Sequence, residues 1–341
     1  MTEALTARSA RTLATSLLVA TGVPREQAQE TGAAIVLGDL WNVPSHGLMR
    51  LPYYLTRLVA GGYDPNAELR TVHDTGPLVT YDGGGGLGHW QLWRAGRLAA
   101  ERCRRYGVAA VSVANSGHCG ALGVYTLPAV REGVVALAFS NGPAFMPAWG
   151  GDRPVVSTSP IAAGFPVGDG HAIVDLALST VARGKIALHA RDDKELPPGW
   201  ALDRHGRPTT DPHEGLAGMV APLGGAKGFA LAFVVEALTG GLIGPALSPD
   251  VRDMFAPDDA AKPQGIAHLV LAIDPAVTSP EGDPAARLDA FAATIRETGG
   301  RVPGSGRQDP RDIPDDQPVS IPDALRTELA DWAERLGVPA A

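Results

Sequence analysis

The segment WNVPSHGLMRLPYY, residues 41–54, places a serine, a histidine and an arginine close together: Ser45, His46 and Arg50. An imidazole has an unperturbed pKa of about 6.5, so it can give up a proton near neutral pH. A guanidinium presents a planar fork of donors that matches a carboxylate. The pattern therefore predicts acid–base chemistry on a small carboxylic acid. The alternative is a histidine in a turn and an arginine at a helix end, with no catalytic role.

Two glycine-rich segments could offer backbone amides to an anion. NSGHCGALGVYTLPAV places His118 just before a predicted helix start, where amides and the helix dipole can bind a phosphate or a dinucleotide. The alternative is a strand-to-helix turn with a satisfied histidine. Gly83, Gly85 and Gly88 have the G-x-G-x-x-G spacing, but bulky residues follow them and three predicted helices precede them. That context favours a plain flexible turn over a Rossmann phosphate loop.

Polar side chains also follow or precede other predicted elements. Asn141 and Ser159 lie in a long Pro- and Gly-rich segment that is typical either of a binding loop or of a stiffened connector. Asp175 ends a predicted strand, where it could accept from a ribose hydroxyl or cap a helix, and Lys185 follows ten residues later. Lys227 lies at a helix start, where the dipole favours anions, so it indicates an anionic ligand. For both lysines the alternative is a solvated charge.

The composition restricts the class of protein. The chain has 341 residues, a net charge of −8 and basic residues only in short runs such as Arg104-Arg105, which argues against nucleic acids and anionic membranes as partners. Cys103 and Cys119 form no disulfide framework, and the histidines have no short ligand pairing, so we predict no metal. We find no signal peptide and no apolar run of about 18 residues, and therefore expect a soluble, cytoplasmic protein.

Hydrophobic periodicity predicts the elements that position these residues. The N-terminal part reads as three helices, the last ending at Gly61-Gly62. From about residue 76, apolar strands alternate with helical segments, which indicates a sheet covered on both faces. The predicted strands are PLVTYD, GVAAVSVAN, GVVALAFSN, HAIVDLALS and HLVLAIDP. The tail PDALRTELADWAERLG predicts another amphipathic helix, which could pack back on the N-terminal helices.

Taken in order, several segments resemble the malate/L-lactate dehydrogenase family of the non-Rossmann kind, from about residue 10 to 305. They are SHG with Arg50, HCGALGVY, NGPAFMPAWGG, SPIAAGFP, VDLALSTVARGKI, PLGGAKGFALAFVVEALTGGL and HLVLAIDP. The family includes type-2 malate, sulfolactate and ureidoglycolate dehydrogenases and Δ1-piperideine-2-carboxylate reductases. The resemblance implies an oxidoreductase that uses NAD or NADP on a small carboxylate substrate.

The resemblance also implies a fold and an assembly. Residues 76–290 would form an α/β cofactor-binding domain with a mixed, non-Rossmann sheet. Residues 1–75 and the C-terminal segment 291–341 would together form a discontinuous helical domain. The protein would be a homodimer, with the active site in a cleft near the subunit interface.

Site residues follow from the same resemblance. His46 would give the proton to the substrate, Ser45 would orient His46, and Arg50 would hold the substrate carboxylate. In some members the histidine that matches His118 is the acid–base residue instead, so both histidines are kept as candidates. The residues implied to line the cofactor are His118, Cys119, Gly120, Ala121, Leu122, Asn141, Ser159, Asp175, Leu176, Ala177, Lys185, Lys227, Arg301, Val302 and Pro303.

The sequence departs from the family pattern at three positions. Cys119 replaces a frequent phenylalanine, Ser159 an asparagine, and Ala226 an aromatic residue or histidine. Ser159 and Ala226 would reshape the nicotinamide and substrate pocket, which argues against malate and lactate as substrates. Lys185 favours a 2-oxo acid. The alternatives are a reductase of cyclic imines or ketimines, and a cofactor-binding protein without turnover.

Overall fold

The computed structural model describes residues 5–168, 170–253, 256–279 and 281–339. Three helices form the N-terminal part of the chain. Thr6 caps the first of them, since its side chain accepts from the Ser9 N–H at 3.1 Å. Gly61 ends the third in the left-handed conformation, with φ 85°, where a glycine carries no steric penalty. The helices are α1 (Ala7–Ala20), α2 (Arg25–Leu40) and α3 (Leu51–Ala60).

The rest of the chain alternates strands and helices. The first half contains β1 (Arg70–Asp74), β2 (Leu78–Asp82), α4 (Gly88–Tyr106), β3 (Val108–Ser116), α5 (Leu127–Arg131), β4 (Val135–Ser140), β5 (Met146–Pro147), β6 (Pro154–Val156), β7 (Ile161–Val167) and β8 (Gly170–Leu176). The second half contains α6 (Arg183–Arg191), β9 (Ala201–Leu202), β10 (Pro208–Thr209), α7 (Pro212–Ala217), β11 (Met219–Val220), α8 (Ala226–Glu236), β12 (Ile266–Ile273), α9 (Pro275–Thr278), α10 (Pro284–Glu297) and α11 (Asp323–Leu336).

The central sheet is mixed and has seven strands, in the order β1-β2-β3-β12-β4-β7-β8. Strands β2 and β3, which α4 connects, pair in parallel. The other neighbouring strands pair antiparallel. Strand β12 lies between β3 and β4 and antiparallel to both, so that Ile266 lies opposite Ser116 and His268 lies opposite Ser140. The C-terminal ends of β3 and β4 and the start of β12 therefore lie side by side at one end of these three central strands.

Both faces of this sheet are covered, as the apolar strands predict. Successive residues of a strand point to opposite faces. Accordingly, Ala138 and Val270 join one core with the N-terminal helices and α4, while Phe139 and Leu269 join a second core with α6 and α8. Helix α11 packs against α1 and α3 and contributes to the first core. Helix α10, within which the predicted boundary at residue 291 falls, packs on β7.

The fold class predicted from the sequence is confirmed, and each of the five predicted strands has its counterpart. In the central sheet, strands β1 and β7 are not among the predicted strands. The helix predicted to start after His118 is instead a 3₁₀ turn over Leu122–Thr126 followed by the short α5. The turn at Gly83 to Gly86 is held rather than flexible, because two of its amides donate to the carbonyls of Ala114 and Asn115. No helix in the described ranges is long and apolar enough to cross a bilayer.

Candidate active site

Ser45, His46 and Arg50 lie in two 3₁₀ turns between α2 and α3, over Pro44–His46 and Leu48–Arg50. The Asp39 carboxylate, near the end of α2, accepts the Leu48 N–H at 2.7 Å. A side chain at Gly47 would overlap that carboxylate, so the glycine allows the turn to lie against α2. The local sequence therefore determines the position of this turn.

Ser45 contacts both His46 and Arg50, as their spacing predicts. The Ser45 hydroxyl lies 3.0 Å from His46 Nδ1, and Arg50 Nε donates to the Ser45 carbonyl at 2.8 Å. Burial, and after it the charge of Arg50, lowers the pKa of His46 to about 4. The unperturbed value assumed from the sequence is therefore too high for the free protein, in which His46 is neutral at pH 7.

The His118 ring lies beside the His46 ring, with centroids 5.7 Å apart and planes inclined by 24°. His118 Nδ1 is 2.7 Å from the Tyr54 hydroxyl and accepts the Gly120 N–H at 3.3 Å. The His118 N–H donates to Gln264 Oε1 at 3.0 Å. Burial, followed by the charges of His46 and Arg50, lowers the pKa of His118 well below its usual value. The two candidate acid–base residues therefore share one site.

Sequence reasoning missed two further histidines at this site. His89 on α4 is fully buried, with its ring centroid 4.8 Å from that of Tyr54, and His268 on β12 lies 3.0 Å from the Gly117 carbonyl through Nε2. Burial lowers the pKa of His89 to about 3 and that of His268 to about 4. No spacing in the sequence relates these residues, because only the insertion of β12 into the sheet brings them together.

Part of the predicted cofactor surface is continuous with this pair of histidines. The loop from His118 through Leu122 leads to Gly123, whose N–H donates to Asp175 Oδ2 at 2.9 Å. Ile173 N–H donates to the Pro303 carbonyl at 3.0 Å, which brings the predicted turn at Arg301, Val302 and Pro303 to strand β8. Burial raises the pKa of Asp175, opposed by the Gly123 N–H and by Arg307, another residue that the sequence argument missed.

The buried thiol of Cys119 lies in the same loop. Burial raises its pKa, so the thiol stays protonated and unreactive near neutral pH. Residues Leu176 and Ala177 follow Asp175 at the end of β8, where Leu176 is exposed.

The remaining predicted cofactor residues lie just after β4, before β7 and on α6 and α8. The Asn141 side chain is used within the protein: Oδ1 accepts the Ala267 N–H at 2.9 Å, and Nδ2 donates to the Ala246 carbonyl at 3.0 Å. Ser159 is buried, with φ 45°, and its N–H donates to the hydroxyl of Ser157. Lys185 and Lys227 are exposed in the first turns of α6 and α8. The roles of these four residues toward a cofactor stay predictions.

Comparison with known proteins decides the family. Residues 5–330 match the sequence profile of malate/L-lactate dehydrogenase. The chain belongs to the malate/L-lactate dehydrogenase family. It is 39% identical, over 98% of its length and 99% of the relative's, to a (2R)-3-sulfolactate dehydrogenase (NADP⁺) of Chromohalobacter salexigens. It is 35% identical, over 95% of its length and 98% of the relative's, to a Δ1-pyrroline-2-carboxylate/Δ1-piperideine-2-carboxylate reductase of Pseudomonas aeruginosa.

A solved structure agrees with this assignment. The sulfolactate dehydrogenase of Methanocaldococcus jannaschii superimposes with a TM-score of 0.90 at 28% identity, covering 99% of this chain and 98% of that one. For a member of the malate/L-lactate dehydrogenase family, the predictions of an oxidoreductase and of a nicotinamide cofactor are confirmed at the level of the family.

The residues present fit such a cofactor. Hydrogen bonds join the loop after His118 to Asp175 and join β8 to the turn at Pro303, the His118 ring lies beside His46, and Arg307 adds a positive charge near Asp175. By contrast, the described residues contain no group of three or more His, Cys, Asp or Glu side chains that could hold a metal ion.

Proposed function

We propose that this member of the family transfers hydride between NAD(P) and C2 of a small 2-oxo or 2-hydroxy carboxylic acid. The observation that carries the proposal is the contact of Ser45 with both His46 and Arg50 at the edge of the cofactor surface. A fixed cation beside an imidazole is what recognition of a carboxylate and transfer of a proton at the adjacent carbon require. When bound, the nicotinamide supplies or accepts the hydride.

In this proposal Arg50 binds the substrate carboxylate and so fixes C2 and its oxygen next to His46. A carboxylate on Arg50 offsets the positive charge that helps to lower the pKa of His46, and therefore raises that pKa toward the neutral range. His46 can then give its proton to the oxygen in the reductive direction. In the oxidative direction the neutral His46 of the free protein is ready to accept the hydroxyl proton.

A second candidate is reduction of a cyclic imine or ketimine, in which His46 protonates nitrogen instead of oxygen. The similarity to the Pseudomonas aeruginosa reductase favours it. A cofactor-binding protein without turnover is the third hypothesis, and the intact contacts of Ser45, His46 and Arg50 argue against it.

The homodimer is also a proposal, and an exposed apolar surface on α8 supports it. Leu231, Phe233 and Val234 are 49%, 61% and 46% exposed, and Leu242, after the π-helical turn Ala237–Gly241 that follows α8, is 78% exposed. Apolar patches of this kind commonly mark contacts between proteins. A second copy of the chain is the partner we propose, with the active-site cleft near the interface. The helical domain of residues 1–75 and 291–341, the α/β domain of residues 76–290 and the cytoplasmic location stay predictions.

The test follows the loss of NADH and NADPH absorbance, in parallel, with a panel of open-chain 2-oxo acids and cyclic imino acids, each with and without methylamine. We expect turnover of an open-chain 2-oxo acid without amine. Turnover of cyclic imines alone, or only with amine present, would transfer the assignment to imine reduction. Absence of turnover with both cofactors, alongside measurable cofactor binding, would support the third hypothesis.

A further inference from the structure

We infer that His118 is held as the neutral tautomer with its proton on Nε2, so that it donates a hydrogen bond to the substrate while His46 alone transfers the proton. Tyr54 is the positioning residue that holds it so. The role of His118 toward a substrate rests on the proposed function, but its tautomer is a property of the free protein.

His118 Nδ1 has two hydrogen-bonding neighbours. One is the backbone N–H of Gly120, at 3.3 Å, which can only donate. Nδ1 must therefore present its lone pair. The other neighbour, the Tyr54 hydroxyl at 2.7 Å, must then donate as well. A neutral imidazole that accepts at Nδ1 carries its proton on Nε2.

The surroundings hold the ring in this orientation. Tyr54 and Gly120 are buried whereas His118 is half-buried, so Nδ1 faces the interior and Nε2 is the ring nitrogen left for a substrate. Gln264, which accepts from the Tyr63 hydroxyl, also accepts the His118 backbone N–H. These contacts come from α3, β3 and β12 and the loops that adjoin them, so the ring is fixed from several elements.

Protonation of His118 at Nδ1 would act against its contacts with Gly120 and Tyr54. A proton on Nδ1 would face the Gly120 N–H and would remove the bond from Tyr54. The added charge would lie near Arg50 and His46 from the turn after α2, His89 from α4 and His268 from β12. A neutral ring is therefore the stable form.

His46 has a different environment. Its Nδ1 faces the Ser45 hydroxyl, which can donate or accept as the ring requires. His46 can therefore gain and lose a proton without breaking a bond to a donor-only group. The two histidines therefore have different roles. His46 transfers the proton, and the Nε2–H of His118 stabilises the developing charge on the substrate.

The tautomer can be read without any substrate. In protein labelled with ¹⁵N-histidine, the two-bond ¹H–¹⁵N spectrum identifies which nitrogen of His118 is protonated, assigned by comparison with His118→Gln. We expect a protonated Nε2 and an unprotonated Nδ1, unchanged between pH 5.5 and 9. Tyr54→Phe should shift the Nδ1 resonance, while Tyr53→Phe, on the same helix, should leave it in place. A protonated Nδ1, or titration in this range, would overturn the inference.

Kinetics test the division of roles. A glutamine at position 118 supplies an N–H donor but cannot titrate, so His118→Gln should lose about tenfold or less in kcat. His118→Ala should lose about 10²–10³-fold, as for removal of a donor to a developing oxyanion. Only His46→Gln should abolish the acid–base limb of the pH profile. Equal losses in His118→Gln and His118→Ala, with the limb gone from both, would assign proton transfer to His118. If no substrate turns over, the proposed function fails while the spectrum still tests the tautomer.

Discussion

The Asp39 carboxylate accepts the backbone N–H of Leu48 at 2.7 Å and thereby joins the end of α2 to the turn that carries Arg50. Burial raises the pKa of Asp39 to about 6, although the Leu48 N–H opposes the shift. In the unfolded chain the pKa is about 3.9. The stabilising contribution of Asp39 is therefore present at low pH and is lost as the pH rises through 6.

Replacing Asp39 with asparagine should remove this pH dependence. The amide oxygen can still accept from Leu48, but it carries no charge to bury. Between pH 5 and pH 8 we expect the free energy of unfolding of Asp39→Asn to gain about 1 kcal/mol relative to the wild type. Urea denaturation of both proteins at the two pH values measures this free energy. A difference that does not change with pH would contradict the buried ionisation.

His46→Ala should lose about 10²–10⁴-fold in kcat, the usual value of a positioned acid. Binding of NADH or NADPH should be unchanged, because the substitution leaves the His118 loop and Asp175 in place. Coenzyme fluorescence titration and steady-state kinetics measure the two quantities. Full activity in this variant would exclude His46 as the proton donor.

Arg50→Lys should act mainly on KM. Lysine keeps the charge but cannot reproduce the planar fork that grips a carboxylate. A hydrogen bond to a charged group contributes about 1.5–3 kcal/mol, so we expect KM to rise about 10- to 100-fold. The exposed Arg97 on α4 provides a matched control, and Arg97→Lys should leave KM unchanged. A KM that is equal in both variants would show that Arg50 does not bind the substrate carboxylate.

The buried histidines should make the fold sensitive to acid. The pKa of His89 is lowered to about 3, below its unfolded value of about 6.5. The unfolded chain therefore takes up the proton first, and stability falls as the pH drops below 6.5. From pH 7 to pH 5, the free energy of unfolding of the wild type should fall by about 2 kcal/mol more than that of His89→Gln. Urea denaturation at the two pH values measures the difference. The exposed His73 serves as control, and an equal effect of His73→Gln would contradict the prediction.

The proposed dimer can be tested with two phenylalanines of similar exposure. Phe233 on α8 and Phe291 on α10 are 61% and 65% exposed. Phe233→Asp should place a charge in the interface and shift the protein toward monomer, while Phe291→Asp should not. Light scattering after size-exclusion chromatography distinguishes the two. Dimers in both variants would exclude the α8 surface as the interface.

The contiguous part of the site could be predicted from the sequence, and the distant part could not. Ser45, His46 and Arg50 are neighbours in the chain, so their contact depends only on a local turn. The pairing of Tyr54 with His118 spans 64 residues and depends on the packing of α3 against the loop after β3. No periodicity encodes such a contact.

The missed strands have physical reasons as well. Every residue of β1 is exposed, so the strand lacks the apolar alternation that prediction uses. Strand β7 contains Gly164 and Pro166, both of which are unfavourable in a strand interior. Gly164 is nevertheless required, because a side chain there would press on Thr126 and Val130.

The position of β12 in the sheet has a consequence for synthesis of the chain. Strands β3 and β4 are complete by residue 140, but the strand that joins them is Ile266–Ile273. A nascent chain therefore carries two unpaired strand edges for more than a hundred residues, and such edges invite pairing with other chains. His268 and the neighbouring Gln264 belong to the same part of the chain. The sheet and the histidine site can therefore both be completed only after β12 has been synthesised.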